Sequence, residues 1–249
     1  MRWLERLIGR DRTADSDVAA TMAQATAAVE RGDHVAALAL WGPLAHAGIG
    51  RAQNNIGACF AEGLGVERDP ALALRWLTLA AESGDPVGQR NLAALHFKGE
   101  GVAQSDAEAM RLYRLAAEQY DAPAQDMLSW MLLEGGDVSD RAEALRWAQA
   151  AAEAGIATSM TRLGMMHHDA LGVGRDASLA AQWWQRGMAA GDPDSEAMLG
   201  AATLLGQGVP ADAERALALL LAAESKASPL AAPFIKAARA AVSPAETAP

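Results

Sequence analysis

The sequence repeats itself with a period of about 36 residues, and no other feature restricts its fold as strongly. A two-helix unit of this length cannot bury its apolar face alone, so neighbouring units must stack and supply each other's core. The period therefore predicts an all-α solenoid of about six helix-turn-helix repeats over residues 15–229. The predicted repeats are residues 15–50 (a divergent copy), 51–86, 87–122, 123–157, 158–193 and 194–229.

Each copy has the same internal order of a helix, a glycine-rich link and a second helix. In the copy at 51–86, Ile56, Cys59 and Phe60 lie on the apolar stripe of the first helix, and Trp76 lies on that of the second. A residue whose side chain can accept hydrogen bonds from free N–H groups precedes each second helix and marks its start. These capping positions are Asp69, Ser105, Asp140, Asp176 and Asp212.

The composition agrees with helices and excludes several classes of function. Hydrophobic residues make up 51% of the chain but aromatic residues only 5%, so alanine and leucine, both good helix formers, supply most of the core. The net charge of −10 argues against sequence-independent binding of nucleic acid, which needs a basic surface. The single cysteine, Cys59, rules out an internal disulfide framework and is typical of a reducing compartment.

The two ends of the chain differ from the repeats. Residues 1–14 form an amphipathic arm in which Trp3, Leu4, Leu7 and Ile8 share one face of a short helix, so the arm either binds a membrane surface or caps the first repeat. Charged residues interrupt this apolar cluster, so we expect that it is not a signal peptide. We therefore expect a cytoplasmic protein. The alternative is peripheral association with the inner face of the membrane. Residues 230–242 predict a capping helix, and residues 243–249 a disordered tail.

The motif in these copies resembles a known family. The pattern L-G-x-x-Y-x-x-G-x-G-V, a capping Asp, then A-L-x-W-x-x-x-A-A-x-x-G-D is similar to the Sel1-like repeat of the tetratricopeptide superfamily. Departures include Ala93 and Ser129 in the glycine position of the first helix. The copy at 123–157 also has a shortened link, with Asp137 in place of glycine. The resemblance implies a right-handed α-solenoid whose first helices line a concave face that binds other proteins. In bacterial relatives such repeats serve signalling, envelope and assembly pathways.

The inward-facing positions of the family define a candidate groove for a partner peptide or helix. We expect Phe97 and Trp130 to form its apolar centre, Arg90 and Lys98 to pair with an acidic group of the ligand, and Asn54 to contact the ligand backbone. The alternative is that Phe97 and Trp130 pack against neighbouring helices. The complete set is Asn54, Glu62, Arg90, Phe97, Lys98, Asp126, Trp130, Leu133, Glu134, Thr161, Met165, His168, Asp169 and Leu204.

The other tryptophans follow the repeat. Trp76, Trp147 and Trp183 occupy the tryptophan position of the motif, so packing in the core explains them. Trp41 and Trp184 fall one residue beyond that position, and we expect both to be partly exposed.

Residues that might support metal binding or catalysis do not form a convincing site. His167, His168 and Asp169 are adjacent, but neighbouring side chains on a helix do not converge on one ion, and His167 aligns with the core positions of Phe60 and His96. The glycines recur with the repeat and follow no strand, so they predict no phosphate-binding loop. We therefore expect no metal, no cofactor and no catalytic residues.

The sequence leaves two main classes of function. The first is a non-catalytic scaffold or adaptor that holds a peptide or helix of another protein in its groove. The alternative is a peripheral membrane-associated regulator anchored by residues 1–14, and an enzyme is a distant third.

Overall fold

The computed structural model describes the backbone of residues 2–242 and the side chains of residues 15–242. Within these residues the chain forms thirteen α-helices, a short 3-10 helix at Val138–Asp140 and no strand. The side chains of Trp3, Leu4, Leu7 and Ile8 and the predicted tail at 243–249 lie outside what is described. The helices are α1 Arg2–Glu30, α2 His34–His46, α3 Gly50–Glu62, α4 Pro70–Glu82, α5 Pro86–Lys98, α6 Asp106–Glu118, α7 Ala122–Glu134, α8 Arg141–Glu153, α9 Ala157–Asp169, α10 Ala177–Ala189, α11 Pro193–Leu205, α12 Ala213–Ser225 and α13 Ala232–Val242.

The chain divides into two compact units, Met1–Asp121 with α1 to α6 and Ala122–Pro249 with α7 to α13. In the first unit each helix packs on the next, and the first helices of consecutive repeats, α3 and α5, also touch. The second unit repeats this arrangement, with α9 in contact with α11 and α13 packed on α12. Consecutive packing of paired helices confirms the predicted all-α solenoid fold class. None of the described helices is long and apolar enough to cross a membrane.

The two helices of a repeat approach closely at a glycine in the first helix. A Cβ atom on Gly57 would lie 2.8 Å from Cγ of Leu77, and one on Gly200 would lie 2.9 Å from Cγ of Leu220. On Gly164 the same atom would overlap the indole ring of Trp184. The missing side chain therefore makes the space in which the second helix buries a large apolar residue.

The structure corrects the exposure expected for two tryptophans. Trp184 is 1% exposed and Trp41 is 5% exposed, whereas Trp76, at the tryptophan position of the motif, is only half-buried. Trp184 and Leu77 come one residue beyond that position, and each faces the glycine of its own first helix. The later position is thus the deeper one in these two repeats, so a tryptophan placed there is buried.

Four of the five predicted caps bond to the first turn of their helices. Asp69 accepts from the backbone N–H of Leu72 at 3.0 Å, and Asp212 from that of Arg215 at 2.9 Å; Ser105 and Asp176 cap in the same way. The prediction for Asp140 is wrong, because its carboxylate accepts from the backbone N–H of Asp137 instead, at 2.8 Å. The shortened link gives Asp140 a helical backbone conformation, whereas the other four caps are extended.

The last repeat is covered by α13. Ile235 and Ala238 of this helix are buried in one cluster with Leu220 of α12 and Ala197 of α11. Phe234 is partly buried against the same cluster. A solenoid end needs such a cover because its outermost repeat has no further neighbour to bury its apolar face.

The glycine contact predicts that Gly164→Ala destabilises the protein. The added methyl group would meet the Trp184 ring, and overpacking of this kind costs about 1–3 kcal/mol, more than the gain of about 1 kcal/mol in helix propensity. We expect the midpoint of thermal unfolding, followed by circular dichroism, to fall by several degrees. Gly174→Ala is the control, since a Cβ atom there meets nothing within 4 Å. Equal midpoints for the two variants would contradict this account of the contact.

Candidate functional site

The predicted groove residues fall into both units, and each unit is described separately. Unit 1 contains Asn54, Glu62, Arg90, Phe97 and Lys98. Glu62 and Lys98 are exposed at the ends of α3 and α5, and Phe97 is half-buried in the last turn of α5. These positions leave two charged side chains of opposite sign in solvent.

Asn54 has a structural role in the first unit. It is 4% exposed, its Oδ1 accepts from Nδ2 of Asn91 at 2.8 Å, and its own Nδ2 donates to Oδ1 of Asn55 at 3.2 Å. The first of these bonds connects α3 to α5. The amide of Asn54 is buried and bonded within unit 1, and this arrangement does not favour the predicted contact with a ligand backbone.

Arg90 is also engaged within the protein. Its Nη1 donates to Oδ1 and Oδ2 of Asp121 at 3.0 and 2.9 Å, and the Asp121 side chain is almost completely buried. Removing Arg90 would take two charge-assisted hydrogen bonds from a buried carboxylate, which is costly. The predicted pairing of Arg90 with an acidic ligand group needs revision, since the charge is neutralised inside unit 1.

The second unit brings five of the predicted residues together around one cavity. This cavity, here named the Trp130 cleft, has a volume of about 380 Å³. Predicted residues at its wall are Trp130, Leu133, Glu134, Thr161 and Met165, and the other lining residues are Arg141, Thr158, Arg162, Met166, Leu171, Asp192 and Asp194. The helices α7 and α9 provide most of this wall.

Large apolar side chains are exposed at the cleft. Trp130 on α7 is 36% exposed and Met165 on α9 is 38% exposed. The equivalent residues of the other repeats are Ala58, Ala94 and Ala201. Two repeats of the second unit thus present bulky apolar groups to solvent at a position where Ala58 and Ala94 of the first unit are small.

Polar groups beside the cleft bond to one another across repeats. Oδ1 of Asp126 accepts from Nη1 of Arg162 at 2.5 Å and from the Ser159 hydroxyl, and its Oδ2 accepts from the Thr158 hydroxyl at 3.2 Å. These bonds connect α7 to α9. Asp126 was predicted to face a ligand, but the structure assigns its carboxylate to this connection.

A second connection joins α9 to α11. The hydroxyl of Thr161 bonds to the carboxylate of Asp192 and to the hydroxyl of Ser195, and Thr161 is buried. Asp192 also caps α11 by accepting from the backbone N–H of Ser195 at 3.0 Å. The sequence analysis missed Asp192, although the equivalent Gly-Asp pair before the first helix α5, at Gly84 and Asp85, carries the signal for it.

His168 connects the repeat at 158–193 to the repeat at 194–229, outside the cleft. Its Nδ1 bonds to Oδ1 of Asp169 at 2.6 Å and its Nε2 to Oε1 of Gln207 at 2.9 Å, and the ring packs on Trp184 at 5.8 Å between centroids. Both partners are oxygen acceptors, so both bonds need the protonated ring. The bonds to Gln207 and Asp169 raise the pKa of His168, against a smaller opposing effect of burial.

The remaining candidates do not add to a site. Leu204 is half-buried and packs against the cluster that α13 covers. Cys59 is buried, and burial raises the pKa of its thiol, which favours the unreactive protonated form. Among the residues whose side chains are described, no group of three or more His, Cys, Asp or Glu is placed to hold a metal ion.

The bonds of His168 predict a titration that nuclear magnetic resonance can follow. We expect its midpoint above the ordinary value of 6.5, and Gln207→Ala or Asp169→Asn should lower it. Because the folded-state pKa is raised, the stabilisation is complete at low pH and is lost as the pH rises through that pKa. Asp169→Asn should therefore destabilise the protein more at about pH 5.5 than at about pH 8.5. A midpoint at or below 6.5 in the unaltered protein would contradict these bonds.

Comparisons with known proteins agree with this architecture. The model of the Sel1 repeat matches residues 50–85, 86–121, 122–156, 157–192 and 193–227. A Sel1 repeat protein from Oxalobacter formigenes is 28% identical, with 86% of each chain covered and a TM-score of 0.80. The uropathogenic Escherichia coli protective antigen c5321, which has an SLR fold, is 26% identical with a TM-score of 0.84; the match covers 94% of this chain and 52% of c5321.

The match with c5321 therefore spans only about half the length of that protein. No curated protein sequence matches this chain. The repeat model nevertheless matches well over half of the residues, in five consecutive copies. On this evidence the chain belongs to the Sel1 repeat family.

Proposed function

We propose that this protein is a non-catalytic adaptor and that its Trp130 cleft holds a segment of a partner protein. Sel1 repeat proteins generally mediate protein–protein interactions on a scaffold that is not catalytic. The observation that carries the proposal for this chain is the exposure of both Trp130 and Met165 at one cavity of about 380 Å³.

The side chains of the cleft have the properties of a binding hot spot. Tryptophan is enriched among the residues that dominate protein interfaces, and it contributes most where it is surrounded by a pocket that excludes water. Methionine is flexible and polarizable, so Met165 can adapt to apolar groups of different shapes. The cavity lies at the small end of the range for ligand pockets, roughly 300–1,000 Å³, and is the size to receive side chains of a partner segment.

The polar groups beside the cleft favour binding over catalysis. Asp126 bonds to Arg162, and Thr161 bonds to Asp192, so these side chains serve to connect helices. A general base needs a titratable group aimed at the substrate, and a nucleophile needs an activating neighbour. The structural bonds of Asp126 and Thr161 leave both residues occupied in other roles.

The proposal predicts that peptides selected on the intact protein depend on Trp130. We would select from a random peptide library displayed on phage and measure the dissociation constants of single synthetic peptides by fluorescence anisotropy. Trp130→Ala should weaken binding by at least about tenfold, because truncation of a hot-spot residue costs about 2 kcal/mol or more. Its unfolding midpoint should fall, because the larger part of Trp130 is buried, so binding is compared at a temperature at which circular dichroism shows both proteins folded.

Leu221→Ala serves as the matched control. Leu221 lies on α12 in the same unit, is 37% exposed, and does not line the cleft. We expect this variant to bind the selected peptides like the unaltered protein. Peptides that bind equally well to Trp130→Ala, or a selection that yields no specific peptide, would refute the proposal.

A further inference from the structure

We infer that the partner segment held in the Trp130 cleft carries a large apolar side chain next to lysine or arginine. This inference rests on the proposed function and adds the chemistry of the occupant. It is argued from the charges that line the cleft and from the apolar surface between them.

Three carboxylates line the cleft. Glu134 is exposed at the end of α7, while Asp192 and Asp194 lie at the start of α11. Asp192 accepts from the Thr161 hydroxyl and the Ser195 backbone N–H, and Asp194 accepts from the Ser228 hydroxyl at 2.6 Å. These donors are neutral groups, so they orient the two carboxylates and leave their negative charge in place.

The positive charges at the cleft compensate this excess only in part. Arg162 is paired with Asp126 at 2.5 Å, so its charge is already balanced by a carboxylate outside the lining. Arg141 at the start of α8 is the remaining cation of the lining residues. The cleft therefore faces its occupant with three carboxylates and the guanidinium of Arg141. The net charge of −10 on the whole chain also favours a basic occupant.

The apolar surface requires a second property of the occupant. Leu133, Met165, Met166 and Leu171 line the cleft with Trp130, so an inserted aliphatic or aromatic side chain would meet apolar groups. A basic residue beside this apolar side chain would reach the carboxylates that line the cleft. Charge complementarity would then set the specificity for the partner segment. Acidic or phosphorylated segments would meet like charges and be rejected.

The sequences of the peptides selected on the unaltered protein test the inference. We expect enrichment of lysine or arginine within a few residues of a large apolar residue. The double variant Glu134→Gln/Asp194→Asn removes two charges but keeps the size of both side chains, and the amide oxygen introduced by the second substitution can still accept from Ser228. It should weaken binding of these peptides about three- to tenfold and reduce the effect of salt.

Glu153→Gln/Glu224→Gln is the control, because both glutamates are exposed in the same unit and do not line the cleft. It should bind with unchanged affinity, and Glu134→Gln alone provides the test if the double variant does not fold. Peptides that need Trp130 but lack basic residues, or that bind the double variant as tightly as the unaltered protein, would overturn this inference and leave the proposed function standing. Binding that is independent of Trp130 would overturn both.

Discussion

Within a repeat, the second helix packs against a residue of the first helix that has almost no side chain, and much of the structure depends on this contact. At Gly164 the indole of Trp184 takes the place that a Cβ atom would fill, and its Nε1 donates to the backbone carbonyl of Thr161 at 3.3 Å. The position of α9 against α10 is thereby restricted. Met165 follows Gly164 in the chain, so the same contact also determines how this side chain reaches the cleft.

Hydrogen bonds and ion pairs between the first helices of consecutive repeats determine the register of one repeat on the next. In unit 1 Asn54 bonds to Asn91, and in unit 2 Asp126 bonds to Arg162. Buried or half-buried polar groups need partners, so the first helices use much of their polar surface for these connections. The side chains of α7 and α9 that line the cleft include apolar groups such as Met165 and the exposed carboxylate of Glu134.

Local features of the fold were predictable, because they depend on residues close in the chain. The repeat, the helix pairs and four of the five caps follow from spacing and residue type. Asp140 failed as a cap because deletion of one residue changed its backbone conformation, and spacing alone does not reveal a dihedral angle. The candidate site was predictable in part. Trp130 was identified because it occupies an inward-facing position of the repeat, whereas Asp192 was missed because its bond to Thr161 spans 31 positions.

By itself the sequence determined that this chain is an all-α repeat protein of the Sel1 type, since a period of about 36 residues and its glycines and caps act through local geometry. Only the tertiary structure decided which side chains of the predicted groove are available to a partner. Arg90 and Asp126 looked like free charges in the sequence, but each finds its counter-charge on another part of its unit. Such pairing depends on distances between residues 31 or 36 positions apart, which exist only after the helices have packed.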